Sequence, residues 1–141
     1  MSDLERISTF IEEHHVMSLA TSYADSLSVC SLFYAYDKES RTFVVASSDE
    51  TLHVAHTNKN PNIAGNILLE TKSVGKIQGL QFWGEFRELK SRELQKRYFK
   101  RFPYALALSP KLWSIQVKRF KMTDNRLGFG KKILWEEESG V

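Results

Sequence analysis

The amino-acid sequence predicts a mainly antiparallel, barrel-like β sheet with two or three peripheral helices, built as a single domain over residues 1–141. Three observations carry that prediction. Three β-forming runs, Val16–Thr21, Leu27–Tyr36 and Thr42–Ser47, follow one another before residue 50 with only short polar stretches between them. The run "KIQGLQFWGEFREL" is too long and too glycine-interrupted for an even strand, so Gly79 and Gly84 are expected at bulges or close backbone approaches, as in a sheet that curls on itself. A last long strand, "KLWSIQVKRFKM", alternates Trp113, Ile115 and Val117 on one face.

The elements follow in order. Ser2 to about His14 reads as a helix, because Leu4, Ile7 and Ile11 share a face and "SDLE" fits a capping box of Ser2 with Glu5. The first two strands form a hairpin around "SYADS", and "DKES" turns the chain into the third. A short helix comes next, with Ser48 or Asp49 as its N-cap, Leu52 and Ala55 as its inner face and Asn60-Pro61 as its stop. "NIAGNILLE" is the fourth strand, the glycine-interrupted run the fifth and the Trp113 strand the sixth. Between the last two, "SRELQKRYFKRF" spaces Leu94, Tyr98 and Phe102 four apart, as a helix ending before Pro103.

Composition narrows the class. With 42% hydrophobic residues the chain reads as a soluble globular domain, and no apolar run approaches the roughly 18 residues of a membrane span. "MSDLERISTF" lacks the basic start and apolar middle of a secretory signal, so a cytoplasmic location is expected. Cys30 is the sole cysteine, which excludes an internal disulfide and a thiolate metal cluster and suits a small buried hydrophobe. A net charge of +3 picks no partner.

The chemistry concentrates in "SSDETLHVAHTNKNPNIAG". A hydroxyl-rich helix start can hold a phosphate, and it can equally be a capped helix with no ligand. His53 and His56 share a face, but no cysteine or suitably offset carboxylate completes a set, and no metal is expected there. His14 and His15 are expected to satisfy backbone groups where the first helix meets the first strand. Arg87 to Arg101 holds seven basic residues and two acids around Tyr98 and Phe99, which fits either a nucleic-acid grip or the solvated face of a helix. Ser-His-Asp triads, informative carboxylate pairs and phosphate-binding glycine loops do not stand out.

Taken together, "VMSLAT", "YAYD", the strand–Ser/Thr–helix–"NP" segment, "GLQFWGE" and the Trp-led final strand resemble the pyridoxamine phosphate oxidase-like FMN-binding split barrels. "GLQFWGEF", "RFPYALAL" and "TDNRLGFGKKILW" are similar to the YhbP-type branch of that superfamily, and the resemblance covers nearly the whole chain. It implies a homodimer of six-stranded split barrels with a flavin in each of two grooves at the interface. It also implies phosphate binding at Ser47, Ser48, Thr51 and His53. Where many of the family carry a lysine in this helix the chain has His53, and the strand-two arginine of the family falls near Val29 or Cys30, so neither position carries a permanent charge.

On that resemblance, Gln78 and Gln81 become candidates to bond a flavin ring, with structural hydrogen bonding across the barrel as an equal alternative; a regular strand puts them on opposite faces unless Gly79 makes a bulge. Lys131 and Trp135, in "DNRLGFGKKILW", become candidates to hold or stack on a planar ligand, with core cover as the alternative for Trp135. An FMN-dependent oxidoreductase acting on an unnamed small molecule is the function so implied. A non-enzymatic module holding haem or another phosphorylated planar ligand, and an RNA-associated protein, are the alternatives. Nine Phe, five Tyr and three Trp in so small a barrel also predict that a second copy covers some of them, with Trp83, Phe86 and Trp113 as candidates.

Overall fold

The computed structural model describes residues 1–138. Its elements are α1 (Asp3–Glu13), β1 (Val16–Tyr23), β2 (Ser26–Asp37), β3 (Thr42–Ala46), α2 (Leu52–Lys59), β4 (Asn62–Leu68), β5 (Gln78–Glu88), α3 (Arg92–Arg101), β6 (Leu112–Asp124) and β7 (Lys132–Glu136). The strands lie in the order β3-β2-β1-β4-β5-β6-β7, all neighbours antiparallel, and β3 also pairs with β6. Six strands therefore close a barrel and a seventh extends it, where six were expected. The seventh follows from the length of β6: Leu112–Gln116 is used by β3, and Arg119–Thr123 is taken by β7.

Alternation along the strands fills the interior. Met17, Leu19, Tyr34, Tyr36, Phe43, Val45, Leu80, Phe82, Phe86, Ile115, Val117 and Phe120 all point inward and are buried in one cluster. Helix α1 closes one side of this core with Ile7, Phe10 and Ile11, and its start carries the Ser2–Glu5 capping box. Tyr34 Oη donates to the Ile11 carbonyl at 2.7 Å, tying the helix end to β2. Helix α3 covers the outward residues Ala35, Val44 and Leu112 with Tyr98, flanked by Leu94 and Phe102. No helix among the described residues is long and apolar enough to cross a membrane.

Two local expectations are corrected. The N-cap of α2 is Thr51, whose hydroxyl accepts from Val54 N, and neither Ser48 nor Asp49 takes that place. The buried face of α2 consists of His53, Val54, His56 and Thr57, while Leu52 and Ala55 are exposed. A largely polar face is buried because each polar group finds a partner: His56 Nδ1 and Thr21 Oγ1 lie 2.8 Å apart, His56 Nε2 and Ser26 Oγ 2.8 Å, and Thr57 Oγ1 donates to the Val54 carbonyl. Of the two glycines expected at irregular points, Gly79 sits in a regular ladder opposite Leu68 and Thr123, and the register shift falls between Trp83 and Gly84.

Candidate functional site

The barrel is split beside α2. Tyr34 N donates to the His15 carbonyl, so the even-numbered residues of β2 face β1 across the hairpin. Leu27, Val29 and Ser31 direct their backbone groups the other way, where β3 pairs only from Tyr34 to Asp37. Among the described residues no strand occupies that edge. β3 turns away after Ala46, and Ser47 N donates to the Lys111 carbonyl. α2 then returns to the far end of β2, where His56 meets Ser26 and Asn60 Nδ2 donates to the Ser22 carbonyl. The open edge is thus bracketed by the departure of β3 at one end and the docking of α2 at the other.

Of the four residues expected to hold a phosphate, two are buried and two lie further out, linked by Thr51 Oγ1, which is 3.4 Å from His53 Nε2. Ser47 and His53 are buried, with Ser47 Oγ and His53 Nε2 at 2.7 Å. His53 also meets the Phe86 ring edge-on, and burial, aided by the nearby His56, holds its imidazole below its ordinary value and therefore neutral at pH 7. Ser48 is exposed, while Thr51 is half-buried and its Oγ1 accepts from Val54 N. Ser48 Oγ accepts from Glu50 N, its carbonyl accepts from Thr51 N and Oγ1, and the first-turn amides of α2 lack intrahelical acceptors, as at any helix start. Hydroxyls and amides at this corner can receive an anion, whereas the imidazole of His53 is turned inward.

The remaining candidates do not meet there. Gln78 is buried inside the barrel, while Gln81 is exposed on the outer face between Asn66 and Lys121, as the regular alternation requires. Lys131 is exposed just before β7. Trp135 packs on Phe120 with the Arg41 guanidinium 4.8 Å from its ring, so it covers the core end. His14 Nδ1 lies 2.7 Å from the Phe10 carbonyl, in keeping with the backbone-satisfying role expected for it, and His15 is exposed. In the basic run, Arg97 donates to the Tyr36 carbonyl and lies 3.6 Å from Asp37, and Arg101 donates to the His14 carbonyl, so both bind α3 to the sheet. Cys30 is half-buried against the core, and burial raises its thiol.

Sequence reasoning missed Lys111. Its Nζ lies 2.9 Å from Asp49 Oδ1 and 3.8 Å from Glu88 and sits 4.7 Å over the Trp113 ring, beside the start of α2. No signal in the sequence joins residues 62 positions apart; the β3–β6 pairing does. Trp113 itself is buried, stacks on Phe86 and donates its indole N–H to the Ser47 carbonyl at 2.9 Å.

No family model matches the chain. The chain is 37% identical over 144 residues to a UPF0306 protein of Klebsiella pneumoniae (strain 342), covering 100% of this chain and 98% of the relative. It is 35% identical over 144 residues to the UPF0306 protein YhbP of Escherichia fergusonii, with the same coverage. Among solved structures, a heme binding protein from Mycobacterium smegmatis superposes with a TM-score of 0.80 at 15% identity, covering 96% of this chain and 58% of that one. A FAD-binding protein from Mesorhizobium loti gives 0.72 at 14% identity, covering 86% and 92%. A Listeria innocua protein assigned provisionally as a pyridoxamine 5'-phosphate oxidase gives 0.70 at 16% identity, covering 86% and 98%. At these identities the superpositions speak for the fold, and the full-length likeness to the curated relatives speaks for the family: the chain belongs to the UPF0306 family, the family of YhbP, and has the split-barrel fold of the pyridoxamine phosphate oxidase-like proteins.

Proposed function

We propose that this protein is a homodimeric ligand-binding split barrel that takes a flavin, FMN first among them, between the open edge of β2 and α2. The observation that carries the reading is the edge itself: Leu27, Val29 and Ser31 offer backbone donors and acceptors that no strand among the described residues takes, next to a helix start bearing the exposed Ser48 hydroxyl and capped by the half-buried Thr51. Such an edge suits the alternating carbonyls and N–H groups of a flavin ring, and such a corner suits its phosphate. Ser47 and His53 take no part in binding and instead brace the corner from inside. A bound flavin supplies redox chemistry, which makes an oxidoreductase with a small-molecule substrate the enzymatic form of this reading. The descriptions of similarly folded proteins as FAD-binding and heme binding support a planar cofactor class.

A second copy fits the same surface. Leu27 is 80% and Val29 74% exposed on β2, and Phe33 on the same strand face touches Phe102, which leads into the segment Pro103–Leu108 with Tyr104 93% and Leu108 81% exposed. At about 150–250 Å² for a large side chain, the exposed apolar residues of β2 and this segment amount to roughly 800 Å², the share one partner contributes to a standard interface. Phe86 and Trp113, expected at that interface, are buried in the chain's own core, and Trp83 is half-buried with Arg119 over its ring.

Titration of the apoprotein with FMN, followed by flavin fluorescence, tests the cofactor. Quenching that saturates in the micromolar range, weaker for riboflavin, is expected; no quenching at high micromolar FMN would overturn it. Light scattering should give twice the 16.3 kDa chain mass. Haem is the second reading, and His15 is the exposed histidine available to it. A Soret shift on adding hemin that disappears in His15→Ala would favour it over flavin.

A further inference from the structure

At the end of the barrel away from α2, two turns meet and present a basic, apolar tip to solvent. The first, Val74–Lys76, joins β4 to β5, and the second, Asn125–Leu127, begins the connection from β6 to β7. Asn125 ties them together: its backbone N–H donates to the Ile77 carbonyl at 2.9 Å, its Nδ2 donates to the Val74 carbonyl at 2.8 Å, and its Oδ1 accepts from Gly130 N at 2.9 Å. Gly128 and Gly130 take φ values of 137° and 73°, which L side chains rarely adopt, and Phe129 is held out between them. It is 85% exposed, with Val74 56% and Leu127 41% exposed on the two turns. The same two connections carry Lys72, Lys76, Arg126, Lys131 and Lys132, all exposed. Glu70 is the exposed acid on them, Asp124 is buried and paired with Arg126 at 2.9 Å, and Glu13 acts on Arg126 from the end of α1. Among the described residues the four lysines make no ion pair. β4 starts where α2 stops and ends at this tip, so the tip lies a strand's length, roughly 20 Å, from the corner at α2.

We propose that this tip is a docking surface for an anionic lipid bilayer, with Phe129, Val74 and Leu127 entering the boundary between headgroups and acyl chains and the lysines meeting the lipid phosphates and carboxylates. Charge complementarity selects the occupant. A few apolar side chains or a few lysines hold a protein at a membrane only marginally when either acts alone, and here the two signals stand on one rigid tip. Lysine suits the second signal, because its long stem lies along apolar surface while the ammonium reaches the headgroups. A second copy of the chain is a poor occupant, since a two-fold contact would set the five cations against themselves. Single-stranded nucleic acid is a poor one too: its grip relies on successive aromatic faces, and here one phenyl ring stands beside two aliphatic side chains. With the tip docked, α2 and the uncovered stretch of β2 remain at the other end of the barrel, open to ligand and partner.

Sedimentation of the full chain with vesicles tests the docking. Wild-type protein should pellet with phosphatidylcholine vesicles containing about 30% phosphatidylserine, lose that binding as salt rises, and stay in solution with phosphatidylcholine alone. Phe129→Ser should weaken binding to the anionic vesicles about 10-fold and the double variant Lys76→Gln/Lys132→Gln about 20-fold, whereas Phe129→Leu, which keeps an apolar side chain, retains most of it. These side chains lie outside the core, so each variant should melt with the wild type. Phe129→Trp adds a readout independent of pelleting: with the anionic vesicles its emission should gain a blue-shifted component that the wild type, whose tryptophans are Trp83, Trp113 and Trp135, does not show. Failure to pellet with anionic vesicles at low salt, equal binding by Phe129→Ser, or Phe129→Trp emission unmoved by the vesicles would each overturn the proposal. Phe129-dependent binding to polyuridylate with none to vesicles would overturn it as well, and would assign the tip to nucleic acid.

Discussion

Gly84→Ala isolates the tightest approach of a strand glycine to neighbouring backbone. Gly84 stands at the register shift of β5 against β6, opposite Val117, and a Cβ there would meet the Gln116 carbonyl oxygen at 2.3 Å, its carbon at 3.0 Å and Val117 Cα at 3.1 Å. Ordinary contact begins at 3.4 Å, so the two strands would have to part by about 1 Å. All three obstructing atoms are backbone, and this part of β6 is paired with β3 on one side and β5 on the other, so no side chain can swing away to relieve the clash. The cost should lie at or above the upper end of the about 1–3 kcal/mol of ordinary overpacking. For a chain of this length that corresponds to a fall in Tm of about 10 °C. Gly75→Ala is the control, since a Cβ there meets nothing within 4 Å; it should leave Tm within about 2 °C, or raise it slightly by restricting the unfolded chain. Calorimetric melts of the two variants beside the wild type decide the matter. A Gly84→Ala protein melting within about 2 °C of wild type would falsify the claim that this contact is rigid.

Other predictions follow the same geometry. Because burial depresses the His53 imidazole, the unfolded chain takes up its proton first, so stability present above about pH 6.5 should be lost as pH falls toward the folded value; denaturant midpoints against pH should show this loss, and His53→Gln, able to keep a bond to Ser47, should flatten that part of the curve. Tyr34→Phe removes the hydroxyl that binds the Ile11 carbonyl and should cost about 1–2 kcal/mol in urea unfolding; an unchanged midpoint would mean that α1 is held by its apolar face alone. Thr21→Val strips His56 of one of its two hydroxyl partners and should cost about 1–3 kcal/mol, with the loss concentrated in the hydrogen-exchange protection of α2. Val29→Lys places a charge on the open face of β2 and should yield a folded species of 16.3 kDa by light scattering; a dimer that persists would show that the second copy sits elsewhere.

The split has a physical cause that links fold to site. β2 and β6 are the two longest strands, at 12 and 13 residues, and each serves different partners along its length. β3, with five residues, is too short to cover β2 from end to end. The uncovered stretch, "SLSVCSLF", carries no charge and no proline, the devices with which sheets usually protect an edge. An edge left so plain is consistent with one that is covered in the working protein, by ligand, by a second copy or by both.

For most features that depend on neighbours along the chain the sequence by itself was sufficient, the α2 cap being the exception because Ser48, Asp49 and Thr51 all suit an N-cap. The Ser2–Glu5 cap, the alternation of Trp113, Ile115 and Val117, the hairpin of the first two strands and the spacing of Leu94, Tyr98 and Phe102 are all local patterns, and each appears in the structure at those residues. Tertiary structure decided whatever depends on a distant partner. α2 buries histidines and a threonine in place of Leu52 and Ala55 because Thr21, Ser26 and Ser47 supply hydroxyls from other elements, and no helical period records those partners. Gly79 and Gly84 look alike in sequence, but only Gly84 faces a carbonyl oxygen from β6 at a distance that excludes a methyl group. The phosphate corner was legible as a hydroxyl-rich helix start, while its division into an inner pair and an outer pair was not. Lys111 reaches that corner through the closure of β3 on β6, a pairing across some 70 residues that exists only once the barrel has formed, so its charge could not be assigned to the site from the chain alone.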